Sequence, residues 1–170
     1  MKKAYILLVA LVIVIGWSSL PFAQEKAEKK TVPDSKFMTY AARDGLFHVE
    51  AGKLAAEKGS TEGVKKFGQH AVEHHSQINE ELMKLASSKG VILPKQMSKG
   101  QREALDKVAK LSGPAFDKAY IEMETKDHTK DLSTFQKEAK EGKDPDVKAW
   151  AVKTVAAIQE HLDMMRNLSK

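Results

Sequence analysis

The 170-residue chain contains no cysteine, and this absence removes several kinds of chemistry. Disulfide bonds, cysteine zinc sites, iron–sulfur clusters and thiol nucleophiles are excluded, as is lipid attachment through an N-terminal cysteine. Catalytic serine triads, phosphate-binding loops and nucleotide fingerprints are also missing. The net charge of +5 is small and spread along the chain, so it does not indicate nucleic-acid binding. What remains is chemistry by the six histidines and the carboxylates.

A long apolar run occurs only near the N-terminus, where residues 4–17 follow two lysines. This pattern predicts a cleavable signal peptide over residues 1–23, because the run is shorter than the roughly 20 residues that span a bilayer. Pro21 stands where a small residue is expected before the cut, so an uncleaved anchor is the alternative. The lysine-rich residues 24–34 are predicted to be a disordered linker. We therefore expect a periplasmic or otherwise exported domain over residues 35–170, with no membrane contact after cleavage.

The rest of the chain is predicted to form four long helices whose ends carry capping residues. The first covers residues 35–58, the second about 61–89, the third 112–142 and the fourth 145 to the C-terminus. The connection at residues 91–111 carries a short helix from 98 and is long enough to cross the bundle, which makes the third helix parallel to the second. No strand of consequence competes. The predicted fold is all-α, a four-helix ferritin-like bundle with a long crossover between helices 2 and 3.

Each predicted helix has one inward stripe of apolar residues at alternating steps of three and four. One histidine falls on each stripe: His48, His75, His128 and His161. His74 lies as far from the mean apolar direction of its helix as His75 does, about 50°, so it is an alternative to His75. His70 lies well off the stripe. The sequence therefore predicts four histidines at the bundle axis.

Four independent helices that each direct an imidazole inward favour a transition-metal site, because facing helices of a bundle commonly build such sites. Nitrogen ligands suit Zn, Cu, Ni or Co, with Fe less expected. Glu124, one turn before His128, is a candidate oxygen ligand. Asp44, Glu50 and Asp131 are weaker candidates, and Glu50 is more typical of a solvated face.

Residues 37–168 resemble the bacterial ferritin-like family known as domain of unknown function 4142. The matching segments are AARDGLFHVEAGKLAAEKGS, VKKFGQHAVEHHSQINEELMKLASSKGVILP, LSGPAFDKAYIEMETKDHTKDLSTFQKEA and DPDVKAWAVKTVAAIQEHLDMM. The resemblance implies an exported four-helix ferritin-like fold whose motif histidines correspond to His75, His128 and His161. Position 48 is usually Glu in the family and position 74 usually Asp, so this chain departs from the pattern there. The family carries no agreed activity.

The expected function is binding of a metal ion rather than catalysis. One alternative is a metal-free envelope or stress-related interaction protein whose histidines are structural. A di-iron oxidase is a lesser alternative, because the chain contains no Glu-x-x-His and we expect few carboxylates at the centre. The H-x-x-E-H spacing of His70, Glu73 and His74 matches an inverted zincin motif, although the lysines nearby are typical of a solvated face. The sequence indicates neither a protein partner nor an oligomeric state.

Overall fold

The computed structural model describes residues 32–169, which form five α-helices and no strand. The helices are α1 (Ser35–Lys58), α2 (Glu62–Ser88), α3 (Lys99–Ala109), α4 (Gly113–Glu141) and α5 (Pro145–Leu168). The predicted all-α class is confirmed, and each helix lies within two residues of its predicted bounds. Among the described residues, no helix is long and apolar enough to cross a membrane. The predicted signal peptide at residues 1–23 lies outside the described residues.

The helix ends are fixed by side chains that satisfy free backbone N–H groups. Ser98 and Gln101 form a reciprocal capping box at the start of α3. The Asp144 carboxylate accepts hydrogen bonds from two backbone N–H groups at the start of α5. The Asp117 carboxylate of α4 accepts from the backbone N–H and the hydroxyl of both Ser60 and Thr61, in the turn before α2. This last interaction joins the α1–α2 turn to α4.

Helices α1 and α2 form a tightly packed antiparallel pair. Gly45 of α1 lies against Asn79 of α2, and one end of the pair brings Gly52 against Gly68. A Cβ atom added to Gly68 would lie 2.6 Å from the Gly52 carbonyl oxygen and 2.6 Å from the Ala56 nitrogen. The two backbones therefore approach so closely that only glycine fits at this crossing.

Helices α2 and α4 run in the same direction, as the predicted crossover requires. The ring of Phe67 contacts Tyr120, and eight residues further along each helix His75 contacts His128. The segment between these helices returns along the bundle and carries α3, which packs on α1 and α4. Helix α5 runs antiparallel to α4, because Trp150 near its start contacts Phe135 and Met165 near its end contacts Thr125.

The interior consists of two apolar clusters separated by a polar layer. The first cluster, near the α1–α2 turn, contains Phe47, Phe67, Phe116 and Tyr120 among others. The second cluster, near the α4–α5 turn, contains Met38, Leu82, Phe135, Trp150 and Ile158 among others. On each long helix, one buried histidine falls between positions that enter the two clusters. The fold thus places the predicted inward histidines in the middle of the bundle.

The last residues of the segment predicted as a linker contact the helices. Val32 packs against the second cluster, and the Asp34 carboxylate accepts hydrogen bonds from the backbone N–H groups of Lys143 and Asp144. Burial, together with the charge of Asp34, raises the pKa of Glu138 to about 7. The negative charge of Asp34 therefore makes ionisation of Glu138 less favourable at this end of the bundle.

Replacing Gly68 by alanine should lower the free energy of unfolding by about 1–3 kcal/mol, because the new methyl group forces α1 and α2 apart. Gly100→Ala is the matched control, since nothing lies within 4 Å of its Cβ position. The control should stabilise α3 slightly, by up to about 1 kcal/mol. Urea denaturation measures both changes, and equal midpoints for Gly68→Ala and the unmodified protein would contradict the close packing.

Replacing Glu138 by glutamine should stabilise the protein more at pH 8 than at pH 4.5. The folded state holds the Glu138 proton up to about pH 7, whereas the unfolded chain releases it near its ordinary value of 4.5. The contribution of Glu138 to the free energy of unfolding therefore falls as the pH rises from 4.5 to 7, and the glutamine variant does not suffer this loss. Urea denaturation at the two pH values measures the stability difference between the variant and the unmodified protein, with Glu141→Gln at an exposed position as the control. A difference that shrinks toward pH 8 would be inconsistent with a raised pKa.

Candidate metal centre

Seven ionisable side chains form the polar layer between the two apolar clusters, and none is more than 5% exposed. Burying a charged group is costly unless it is paired and hydrogen-bonded, so the partners of each group decide its protonation. The members come from all four long helices: Asp44, His48, His75, Glu124, His128, Asp131 and His161.

The four predicted inward histidines lie together in this layer. The ring centroid of His48 is 4.5 Å from that of His75 and 4.3 Å from that of His128. The His161 ring lies 4.8 Å from His75 and 5.2 Å from His128. We call His48, His75, His128 and His161 the interior cluster.

His48 is surrounded by carboxylates at both ring nitrogens. Its Nδ1 donates to Glu124 Oε2 at 3.0 Å, and its Nε2 lies 3.1 Å from Asp131 Oδ2 and 3.2 Å from Asp44 Oδ2. Burial alone would lower the pKa of His48, but the charges of Glu124 and Asp44 outweigh it and hold this pKa well above its usual range. His48 is therefore an imidazolium that neutralises part of the acid around it.

The carboxylates around His48 differ in protonation. Burial raises the pKa of Asp44 to about 7 and also raises that of Glu124, although His48 opposes both shifts. Burial acts the same way on Asp131, but hydrogen bonds from His48 and other donors outweigh it and lower the pKa of Asp131. The Tyr40 hydroxyl donates to Asp131, and the Gln101 amide donates to Asp44 at 3.2 Å. Asp131 is thus the most firmly ionised acid of the layer.

The expectation of few carboxylates at the centre is wrong. Asp44 precedes His48 by one turn of α1, and Asp131 follows Glu124 by two turns of α4, so all three acids reach His48. The absence of a Glu-x-x-His motif suggested few carboxylates, but these three acids reach the centre from other spacings and from two different helices. Glu50, by contrast, is exposed and pairs with Lys53 on the surface.

The other interior histidines are uncharged. Burial, reinforced by the positive charge of His48, lowers the pKa of His75 and of His128 well below the usual range. Burial, followed by the charge of His74, lowers the pKa of His161 to about 3. A neutral imidazole keeps one nitrogen lone pair, which is the form that binds metal ions.

A backbone carbonyl sets the direction of a hydrogen-bond chain through these rings. His128 Nδ1 lies 3.0 Å from the Glu124 carbonyl oxygen and must donate to it, because a carbonyl only accepts. His128 Nε2 therefore accepts from His161 Nδ1 at 3.1 Å. His161 Nε2 in turn accepts from His74 Nδ1 at 3.0 Å. The chain leads from the bundle interior to the rim of the helix pair α2–α5.

Two buried polar atoms of the layer have no hydrogen-bond partner among residues 32–169. They are His75 Nε2 and Glu124 Oε1. Most buried polar atoms in folded proteins are hydrogen-bonded, so unpaired ones call for an explanation such as a bound ion. Their chemistry, one imidazole nitrogen and one carboxylate oxygen, suits a transition metal.

His74 and His75, which the sequence offers as alternatives, both contact other histidines, but in different parts of the bundle. His75 stacks on His48 in the interior, whereas His74 contacts His161 from the rim. His70, which the sequence indicates as a ligand only through the H-x-x-E-H motif, lies one turn from His74 with its ring 5.3 Å from that of His161. Its spacing of four residues from His74 indicates that both rings lie on the same face of α2. Among residues 32–169, three groups have ligand atoms within 4.8 Å of one another: His48, His75 and His128; His70, His74 and His161; Asp44, His48 and Asp131.

Replacing His48 by alanine should destabilise the protein by about 3–5 kcal/mol, the range for removing one partner of a buried ion pair. Glu124 and Asp131 would then lie buried without their cation. Glu50→Ala, on the exposed face of the same helix, should change stability by no more than about 0.5 kcal/mol. Urea denaturation of both variants is the measurement, and a loss below about 1 kcal/mol for His48→Ala would argue against the ion pair.

Comparison with known proteins identifies the family. The family model described as "Domain of unknown function (DUF4142)" matches residues 19–168, nearly the whole chain, so the chain belongs to this family. The predicted membership of the DUF4142 family is therefore confirmed. No curated protein and no solved structure matches the chain.

Proposed function

We propose that this member of the DUF4142 family is an exported helical-bundle protein that binds a transition metal ion in its interior cluster. The observation that carries the proposal is the meeting of four buried imidazoles, one from each long helix, in a single polar layer. Nitrogen-rich ligation favours Zn, Cu, Ni or Co over Mg or Ca. The role is binding rather than catalysis.

The donor atoms fit a metal ion best around His75 and His128. Both rings are neutral, His75 Nε2 has no hydrogen-bond partner among the described residues, and Glu124 Oε1 beside them is likewise unpaired. His161 is adjacent and is the further nitrogen ligand if its Nδ1, which donates to His128 in the metal-free protein, passes its proton to Nε2. These residues would hold the ion. The ion would add positive charge to a layer in which three buried acids face the single imidazolium of His48.

His48 has a different position from the other three rings. Both of its nitrogens face carboxylates, so it can bind a metal only after it gives up a proton. In the metal-free protein its charge stands in for that of a cation, since it holds Glu124 and Asp131 in place. We therefore treat His48 as a ligand that is used only when metal binding displaces its proton.

The ferritin-like topology and the export are parts of the same proposal. Parallel α2 and α4, joined by a segment that returns along the bundle, support the ferritin-like arrangement. The basic start and apolar run within residues 1–23 support export by a cleavable signal peptide. The mass of the protein recovered from the periplasm tests the second point, since cleavage after residue 23 fixes its value.

Two other functions have specific observations in their favour. A metal-free interaction protein is favoured by His48, which balances buried acids without any ion. A di-iron oxidase is favoured by the group Asp44, His48 and Asp131, which offers carboxylate oxygens. Anaerobic Fe(II) titration followed by air distinguishes the oxidase, because it alone gives a ferric charge-transfer band. Elemental analysis of untagged protein prepared without chelators distinguishes the metal-free protein.

Replacing both His75 and His128 by alanine should remove one equivalent of bound metal and the rise in melting temperature that accompanies it. At a free metal concentration of 100 times the dissociation constant, that binding is worth about 2.7 kcal/mol. Such a gain corresponds to a rise of roughly 10 °C for a domain of this size. Elemental analysis and thermal denaturation with and without Zn²⁺ measure both quantities.

Leu82→Ala is the matched control, because Leu82 is buried on the same helix in the second apolar cluster. It should lower the melting temperature by creating a cavity, yet keep the full metal content. If the His75 and His128 double variant binds as much metal as the unmodified protein, the interior cluster is not the site.

A further inference from the structure

A second group of histidines lies at the rim of the α2–α5 pair, outside the interior cluster except for one shared ring. His70 and His74 stand one turn apart on α2, and His161 faces them from α5. The ring centroids are 5.3 Å apart for His70 and His74, 5.3 Å for His70 and His161, and 5.0 Å for His74 and His161. One nitrogen of each ring lies within 4.8 Å of the other two. We call these three residues the outer cluster.

The hydrogen-bond chain of the interior directs a lone pair of His161 toward this cluster. His161 Nδ1 donates to His128, whose own orientation is set by the Glu124 carbonyl. In the neutral ring, Nε2 is therefore the unprotonated atom, and it points at His74. The nitrogen that His161 offers to an ion without changing its tautomer is thus the outer one.

His70 supplies a second, independent indication. Its Nε2 is buried and has no hydrogen-bond partner among residues 32–169, although the ring as a whole is partly exposed. An imidazole on a helix surface can usually turn this atom to water. Here the atom is instead buried, in a ring whose centroid lies 5.3 Å from those of His74 and His161, and a ligand would satisfy it.

The outer cluster is accessible through His70 and His74, which are partly exposed, whereas His161 and the rest of the interior cluster are buried. It borders a pocket of about 300 Å³ that opens to solvent and is also lined by Glu73, Gln77 and Glu160. The two glutamates give this pocket negative charge, which attracts cations. Three imidazoles with a side open to water form the ligand set of an open zinc site, in which water takes the remaining position.

We propose that His70, His74 and His161 form a second, solvent-facing site for a divalent transition metal ion that imidazole ligands prefer, such as Zn²⁺, Cu²⁺ or Ni²⁺. The spacing of four residues between His70 and His74 places both rings on one face of α2, and the rotation of α5 adds the third. The site does not require the interior cluster to hold a metal, since it uses the nitrogen of His161 that faces outward.

The test is a Zn²⁺ titration of the untagged protein at pH 7.5 by calorimetry, with elemental analysis of the bound metal. The decisive variant carries His70→Ala and His74→Ala, both at partly exposed positions, so that the fold is retained. Gln77→Ala is the matched control, because Gln77 lines the same pocket one turn further along α2. The interior double variant, His75→Ala with His128→Ala, is titrated in parallel.

We expect the outer double variant to lose one equivalent of Zn²⁺ relative to the unmodified protein, or to bind that equivalent about 100-fold more weakly or worse. Loss of a single supporting residue around a metal already costs 10–100-fold in affinity. The Gln77→Ala variant should bind as the unmodified protein does, and the interior double variant should keep the outer equivalent.

Unchanged stoichiometry and affinity in the outer double variant would overturn the second site, as would an unmodified protein that binds no Zn²⁺. If the outer variant loses metal while the interior double variant binds as the unmodified protein does, the outer site stands and the interior site fails. The two proposals are therefore separated by the same set of titrations.

Discussion

The buried ion pair between His48 and the surrounding carboxylates is the interaction on which the polar layer depends. Without this cation, Glu124 and Asp131 would carry negative charge between two apolar clusters, at a cost of several kcal/mol. The same positive charge also acts on the neighbouring rings, because it adds to burial in lowering the pKa of His75 and of His128. Burial and this one charged histidine together keep His75 and His128 in the neutral form that binds metal ions.

The second constraint is the direction of the hydrogen bonds that leave the layer. The Glu124 carbonyl orients His128, His128 orients His161, and His161 presents its remaining lone pair to His74 at the rim. The three histidines of the chain lie on three different helices, so the relative rotation of α2, α4 and α5 has to be correct for the chain to exist. The close crossing of α1 and α2 at Gly52 and Gly68 contributes to that precision, because it fixes the α2 axis against α1. Packing between helix backbones therefore determines what the histidines can do.

Much of the fold can be predicted from the sequence because its signals are local. Capping residues such as Ser98 and Asp144 fix helix ends, and the apolar stripe of α5 from Val147 to Met165 is buried as its spacing predicts. The four inward histidines follow from the same spacing. Asp131 and His70 do not, because both lie off the apolar stripes, and whether such a position is buried depends on the rotation of a neighbouring helix. The charge of His48 is also beyond local patterns, since it depends on acids 76 and 83 residues away.

The central claim is that the interior cluster holds a transition metal ion. Crystals of the untagged protein, prepared without chelators and measured at the absorption edge of the metal found by elemental analysis, locate that ion by its anomalous scattering. We expect an anomalous peak in the polar layer next to His75 and His128. A fully folded protein with no peak in that layer, after incubation with Zn²⁺, Cu²⁺, Ni²⁺ and Co²⁺ in turn, would contradict it.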